Sequence, residues 1–349
     1  MNHLKKSEHY HLKGGRVVKT TKCKGKLFNL VWVTSILLVV VPAAFGDNFP
    51  EKPVTIVVST SPGGGLDTAI RQLVPFFEKH LGGKLVLQYQ PGGSTAVANT
   101  IVAKSKPDGY MIDAVGEPHY QLTFITQKVS YTIDDLIPMG PFSCDPGVYR
   151  VRKDAPWNNL KELIDYAKSK PPRTIKVSVS ERTSGNYLAV KQLEEATGVT
   201  FNIVPFGGGN PARLALLGGQ VDLTNAGVFN SLSIAEKSKV IAVHYQENRW
   251  PELTDHARTV NQQLGTKLSN SISYNAFWLP AKIKTEFPDR YKKLVKAFHD
   301  ALTDKEYVAQ MKKLGLEAQV VREDPEPHDR ASRELLKELE KYKDLLLAK

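Results

Sequence analysis

One local theme recurs from Pro53 onward and constrains the fold more than any other feature: a short apolar run, a glycine-rich bend, then apolar residues at helical spacing. Units of this kind bury their apolar surface only by stacking helices on a shared sheet, so the expected class is α/β with mixed, mostly parallel sheets. Val54–Val58 reads as a buried strand, Ser61-Pro62-Gly63-Gly64-Gly65 as the bend, and Ile70, Leu73, Val74, Phe77 and Leu81 as one face of a helix that Gly82-Gly83 stops. The theme returns at Leu85-Val86-Leu87 with Pro91-Gly92-Gly93, and at residues 175–179 with the polar loop 180–186. It returns once more at residues 201–204 with Phe206-Gly207-Gly208-Gly209, where Asn210 is expected as N-cap and Pro211 as the first helical residue.

A chain of 349 residues exceeds what one ordinary core serves, and two lobes are expected. With 41% hydrophobic and 24% charged residues, the composition is that of a globular protein. The net charge of +11 is concentrated at the front: residues 1–26 hold eight basic side chains and one acid, a balance of +7 that leaves +4 for the rest. So small an excess over so long a chain gives no footprint for nucleic acid. The basic stretch runs into an apolar segment at residues 27–41 and small residues at Ala44 and Gly46, the outline of a signal peptide ending at residue 46, with an uncleaved N-terminal anchor as the alternative. Removal of that segment would take Cys23 with it and leave Cys144 without a disulfide partner.

The glycine loops carry the functional expectation. The first turn of a helix leaves main-chain N–H groups without acceptors, the helix dipole adds partial positive charge there, and glycine lets a ligand approach the backbone closely. Two triple-glycine loops of one design therefore point to an anion. Neither Gly65-Leu66-Asp67 nor Gly209-Asn210-Pro211 supplies the lysine and hydroxyl of a P-loop, which disfavours a nucleotide. No Gly-x-Ser-x-Gly elbow or zinc-type histidine spacing occurs, so the chain is read as a binder and not an enzyme, with neither metal nor cofactor called for.

Pro62-Gly63-Gly64-Gly65-Leu66-Asp67 with Arg71, Pro91-Gly92-Gly93 with Pro107-Asp108-Gly109-Tyr110, and Val204-Pro205-Phe206-Gly207-Gly208 with residues 217–222 together resemble the solute receptors of tripartite tricarboxylate transporters, the Bug family. The resemblance implies a type 2 periplasmic binding protein: two α/β lobes joined by two crossing strands, with a small mono- or dicarboxylate, aliphatic or aromatic, held in the interlobe cleft. It places residues 47–148 plus 273–349 in lobe 1 and 149–272 in lobe 2, with the crossings near Tyr149-Arg150-Val151 and Ser273-Tyr274-Asn275. As ligand-binding residues it implies Pro62, Gly63, Gly64, Gly65 and Asp67, then Phe206, Gly207, Gly208 and Gly209, with Ser184 and Asn186 facing them from the polar loop. Thr60 stands in a Ser59-Thr60 pair that departs from the family's Pro-Phe, Arg182 is a candidate for a second carboxylate, and Glu117 follows the apolar run ending at Val115. The implied protein is a monomer in the periplasm that hands its ligand to membrane transporter subunits. A sensory module serving a regulator and a hydrolase using the same cleft are the other readings.

Overall fold

The computed structural model describes residues 48–347, so the signal-peptide reading lies outside the described residues. The chain follows the alternation written in its sequence: β1 (Val54–Val58), α1 (Gly65–Leu81), β2 (Leu85–Tyr89), α2 (Ala96–Ala103), β3 (Met111–Glu117) and α3 (His119–Thr126). Next come the long strand β4 (Leu136–Arg152), α4 (Leu160–Lys168), β5 (Lys176–Val179), α5 (Gly185–Thr197), β6 (Asn202–Pro205), α6 (Gly209–Leu217) and β7 (Leu223–Gly227). The last part comprises β8 (Ser238–Val243), α7 (Val260–Leu264), β9 (Ile272–Pro280), α8 (Ile283–Glu286), α9 (Pro288–Leu302), α10 (Lys305–Lys313), α11 (Pro325–Glu340) and α12 (Lys343–Leu347).

The strands lie in the order β2-β1-β3-β9-β4-β7-β5-β6, with β8 also on β4. Parallel pairs form the outer part of each lobe's sheet, β1 with β2 and β3, and β5 with β6 and β7. Antiparallel pairing is confined to the junction strands: β9 on β3, and β4 on β9, β7 and β8. The architecture is the two-lobed α/β fold.

β4 is the strand that joins the lobes. Its first half pairs with β9 as far as Pro146 opposite Ile272, and from Gly147 opposite Gly227 it belongs to the second sheet. The change of partner thus falls ahead of Tyr149, which sits fully buried inside the second lobe's core. The physical reason is local: Pro146 has no N–H to continue the ladder, and Gly147 packs so closely on Ser271 that a Cβ there would lie 2.6 Å from its Oγ. The returning chain passes the same point, with the Gly147 N–H donating to Ser271 O at 2.7 Å before β9 begins.

Each lobe has its own apolar core. In the first, Val54, Ile56 and Val58 of β1 pack with Ile70, Leu73 and Phe77 of α1 and with Leu294 and Phe298 of α9. In the second, Val177 and Val179 of β5 meet Leu160 and Leu163 of α4 and Val190 and Leu193 of α5. Leu339 of α11 and Leu346 of α12 join this second core, as do Leu122 and Ile125 of α3, so the C-terminal helices bridge from one lobe's sheet to the other's interior.

Candidate ligand-binding site

Between the loops at the carboxyl ends of β1, β5, β6 and β7 lies a cavity of about 210 Å³. That is smaller than the roughly 300–1,000 Å³ of sites for drug-sized ligands and suits a solute of a few carbon atoms. The first lobe lines it with Thr60, Pro62, Gly64, Gly65, Thr95 and His119. The second lobe contributes Ser180, Glu181 and Asn186, the loop Gly207-Gly208-Gly209, and Arg213, Asn225 and Asn230. Asp145, Ser273 and Asn275 form the floor at the junction strands.

Both triple-glycine loops reach this one cavity, and each ends in a glycine N-cap: Gly64 for α1 and Gly208 for α6. Helix α6 opens at Gly209, so Asn210 and Pro211 already lie inside it. Gly208 takes φ 127°, a conformation that excludes L side chains, and this lets the backbone turn into the helix earlier than a side-chain cap would. The lobes touch at two places near the cavity. A Cβ on Gly65 would lie 3.1 Å from Asn230 Cβ, and the hydroxyls of Ser94 and Thr183 are hydrogen-bonded from one lobe to the other.

Of the residues expected at the site, Thr60, Pro62, Gly64, Gly65, Asn186, Gly207, Gly208 and Gly209 line the cavity. The others stand behind or beside it. Asp67 braces the first loop from below: its Oδ2 accepts the Gly63 N–H at 2.8 Å and its Oδ1 accepts from Tyr89 Oη and Arg71 Nε. Burial would raise its pKa, but these three donors outweigh it and hold the carboxyl below its ordinary range. Gly63 serves the bend with φ 80°. Ser184 is fully buried and is spent as the N-cap of α5, its Oγ accepting the Tyr187 N–H. Phe206 packs against Ala215 and Leu216 of α6. Arg182 is exposed and lines a separate hollow with Arg173, Lys191 and Glu194.

Glu117 is 3% exposed and holds a buried network in place of a ligand. Its Oε1 accepts from Gln121 Nε2 and from Ser332 Oγ at 2.7 Å, and its Oε2 lies 3.2 Å from His328 Nε2. The His328 ring attracts it as a charge although the N–H is not aimed for a hydrogen bond.

Several side chains that sequence reasoning passed over define the polar character of the cavity. Arg213, 4% exposed, reaches in from the first turns of α6; its Nη1 donates to Asn230 Oδ1 at 3.2 Å and its Nε has no partner. Burial lowers its pKa and the nearby Asp145 opposes that shift. Asp145 accepts the N–H groups of Phe229 and Asn230, each at 2.9 Å. Burial, set against those two bonds and against Arg213 and Arg150, pushes its pKa up to about 7. Thr60 Oγ1, His119 Nδ1, Glu181 Oε2 and Asn225 Nδ2 are also buried without a hydrogen-bond partner. Orphan polar atoms are costly in a folded interior, at about 1–3 kcal/mol each, and five of them belong to residues that line this cavity.

Residues 69–334 match the family model described as the tripartite tricarboxylate transporter family receptor. The chain belongs to this family. A curated relative, a UPF0065 protein of Bordetella pertussis, is 29% identical over 250 residues, covering 71% of this chain and 76% of that one. The solved structure of periplasmic binding protein BugD is 27% identical with a TM-score of 0.75, over 85% of this chain and 98% of its own. R. palustris Rpa4515, solved with adipate, superposes with a TM-score of 0.76 at 24% identity, over 86% of this chain and 98% of that one, which bears on the fold alone. This membership makes the chain a solute-receptor protein of the periplasmic binding class. Among the described residues no helix is long and apolar enough to cross a membrane, and no His, Cys, Asp and Glu cluster could hold a metal ion.

Proposed function

We propose that this receptor captures a small carboxylate between its lobes and delivers it, from the periplasm and as a monomer, to the membrane subunits of a tripartite tricarboxylate-type transporter. The observation that carries the reading is the meeting of two glycine-capped helix N-termini, from opposite lobes, on one small cavity. A hydrogen bond to a charged group contributes about 1.5–3 kcal/mol. Three or four main-chain donors then offset the association cost and leave the roughly 8 kcal/mol of micromolar affinity. Thr60, Gly64, Gly65, Asn186, Gly207, Gly208 and Gly209 are the proposed ligand contacts, with Pro62 shaping the loop. Gly63, Asp67, Ser184 and Phe206 support them from outside the cavity. Arg182 and Glu117 are left out of the site.

The two proposed lobes, residues 47–148 plus 273–349 and 149–272, meet at seams that the strand pairing moves to Pro146-Gly147 and Ser271-Ile272, with α11 and α12 tying the two together. Binding without turnover is the proposed role, in keeping with the receptor family to which the chain belongs, and Cys144, whose pKa burial pushes up to about 12, sits as an unreactive thiol. Native mass spectrometry of protein purified under gentle conditions tests the reading directly. A co-purifying acid recovered unchanged after denaturation supports it; an acid recovered chemically altered would favour catalysis. Pull-down of the cognate permease only with ligand-loaded protein would separate delivery from the sensory alternative.

A further inference from the structure

Strand β9 separates two hollows that lie back to back. Ser273 and Asn275 face the interlobe cavity, whereas the alternate residues Ile272 and Tyr274 face a second hollow of about 170 Å³ behind it. β3 divides in the same way, with Gly116 on the cavity and Glu117 on the rear hollow. Both lobes wall the rear hollow: Pro118 and Tyr274 from the first, Leu188, Ala189 and Gln192 of α5 from the second. α11 roofs it through Leu335 and Leu339. That helix is tied to the first lobe by the Ser332 hydroxyl on Glu117 and enters the second core at Leu339, so it spans the gap. Between the two hollows the lobes are already in contact, since a Cβ on Gly185 would lie 2.9 Å from Pro118 Cγ. The next residues along each chain, His119 and Asn186, line the cavity.

Capture between two lobes requires them to part and close again, and the two strand passages at Pro146-Gly147 and Ser271-Ile272 leave little freedom but rotation. Rotation about that line moves the walls in front and behind in opposite senses. Packed apolar seams seldom leave a gap of this size, and here the gap lies where an opening cleft would draw Pro118 and Tyr274 toward α5. We propose that the rear hollow sets the balance between the open and closed receptor: it narrows as the cleft opens, and bulk placed in it holds the cleft shut. The inference rests on the proposed capture between the lobes and names the place from which that motion is governed.

Distances between two spin labels test this in protein freed of solute by unfolding and refolding. The labels are carried by Val97→Cys of α2 and Leu214→Cys of α6, exposed positions on opposite lobes whose helices begin beside the cavity, with Cys23→Ser and the buried Cys144 left in place. A short distance reports the closed form and a longer one the open form. Ala189→Met and, in a separate protein, Gln192→Phe add bulk to the hollow from α5, and each is expected to raise the closed-to-open ratio at least about fivefold. Melting curves establish that each variant is folded, and the second position serves if the first does not tolerate the change. An unchanged ratio, or one moved toward the open form, in a folded filling variant overturns the inference and leaves capture between the lobes standing. A single distance in the parent and in both variants overturns the inference and the two-lobed capture together.

Discussion

At the residue scale, glycine does two different jobs in this site, and substitution separates them. A Cβ on Gly207 would meet nothing within 4 Å, so Gly207→Val leaves the lobe intact while its methyls enter the space the ligand needs. An unchanged melting temperature with affinity reduced at least about tenfold is the expected outcome, read by thermal unfolding and titration on one sample. Gly227 is the opposite case, because a Cβ there would lie 2.1 Å from Asp145 Cγ. Gly227→Ala is expected to displace that buried carboxylate and lower stability by about 1–3 kcal/mol in denaturant unfolding. The Gly-Gly-Gly runs were legible in the sequence because local chemistry explains them: a bend, a cap and a close approach all sit within a few residues. Arg213, Asn225 and Asp145 were not legible, since each reaches the cavity only through the stacking of α6, β7 and β4. Arg213 in particular reads in the sequence as one polar residue on a small amphipathic helix. Arg182 shows the same limit in reverse, since its place in the loop 180–186 did not reveal that it lines a different hollow from Ser180 and Asn186.

Among the elements, α11 is held by chemistry that responds to pH. His328, buried on α11, lies against Glu117 of β3 and Glu323 ahead of the helix. Burial alone would lower its pKa, but the two carboxylates outweigh it and raise it above the 6.5 of a free imidazole. The folded state therefore keeps a proton that the unfolded chain releases. The stability this contributes is complete below the unfolded value and is lost as pH rises through the higher folded one. Melting temperature should consequently fall as pH rises above about 6.5, and His328→Gln should flatten that slope; equal slopes in both proteins would assign the trend to another group. The strands and helices themselves were largely readable from periodicity, as β1, α1, β5 and β6 show. The antiparallel junction was harder: β4 and β9 pair across more than a hundred residues of sequence, and no local pattern announces such a partner.

For the whole molecule, the proposed working motion is opening and closing about the double passage at Pro146-Gly147 and Ser271-Ile272. The contact of Gly65 with Asn230 offers a way to arrest it. A Cβ placed on Gly65 would stand 3.1 Å from that of Asn230, within a few tenths of an ångström of the roughly 3.5–4.5 Å typical of disulfides, so Gly65→Cys with Asn230→Cys should form a bridge on oxidation. Protein oxidised with ligand inside is expected to retain it through extensive dialysis and to release it on reduction. Rapid loss from the oxidised form would show that the route out avoids this edge of the cleft.

The proposed anchoring of a guest by main-chain amides has a consequence for how such a receptor changes over time. No point mutation short of proline removes a peptide N–H, so the proposed grip on an acid group by the loops around Gly64 and Gly209 would be inherited along with the fold. Positions such as Thr60, Glu181 and Arg213 are free to drift around it. A lineage built this way can acquire a new diet one side chain at a time, without ever passing through a form that holds nothing.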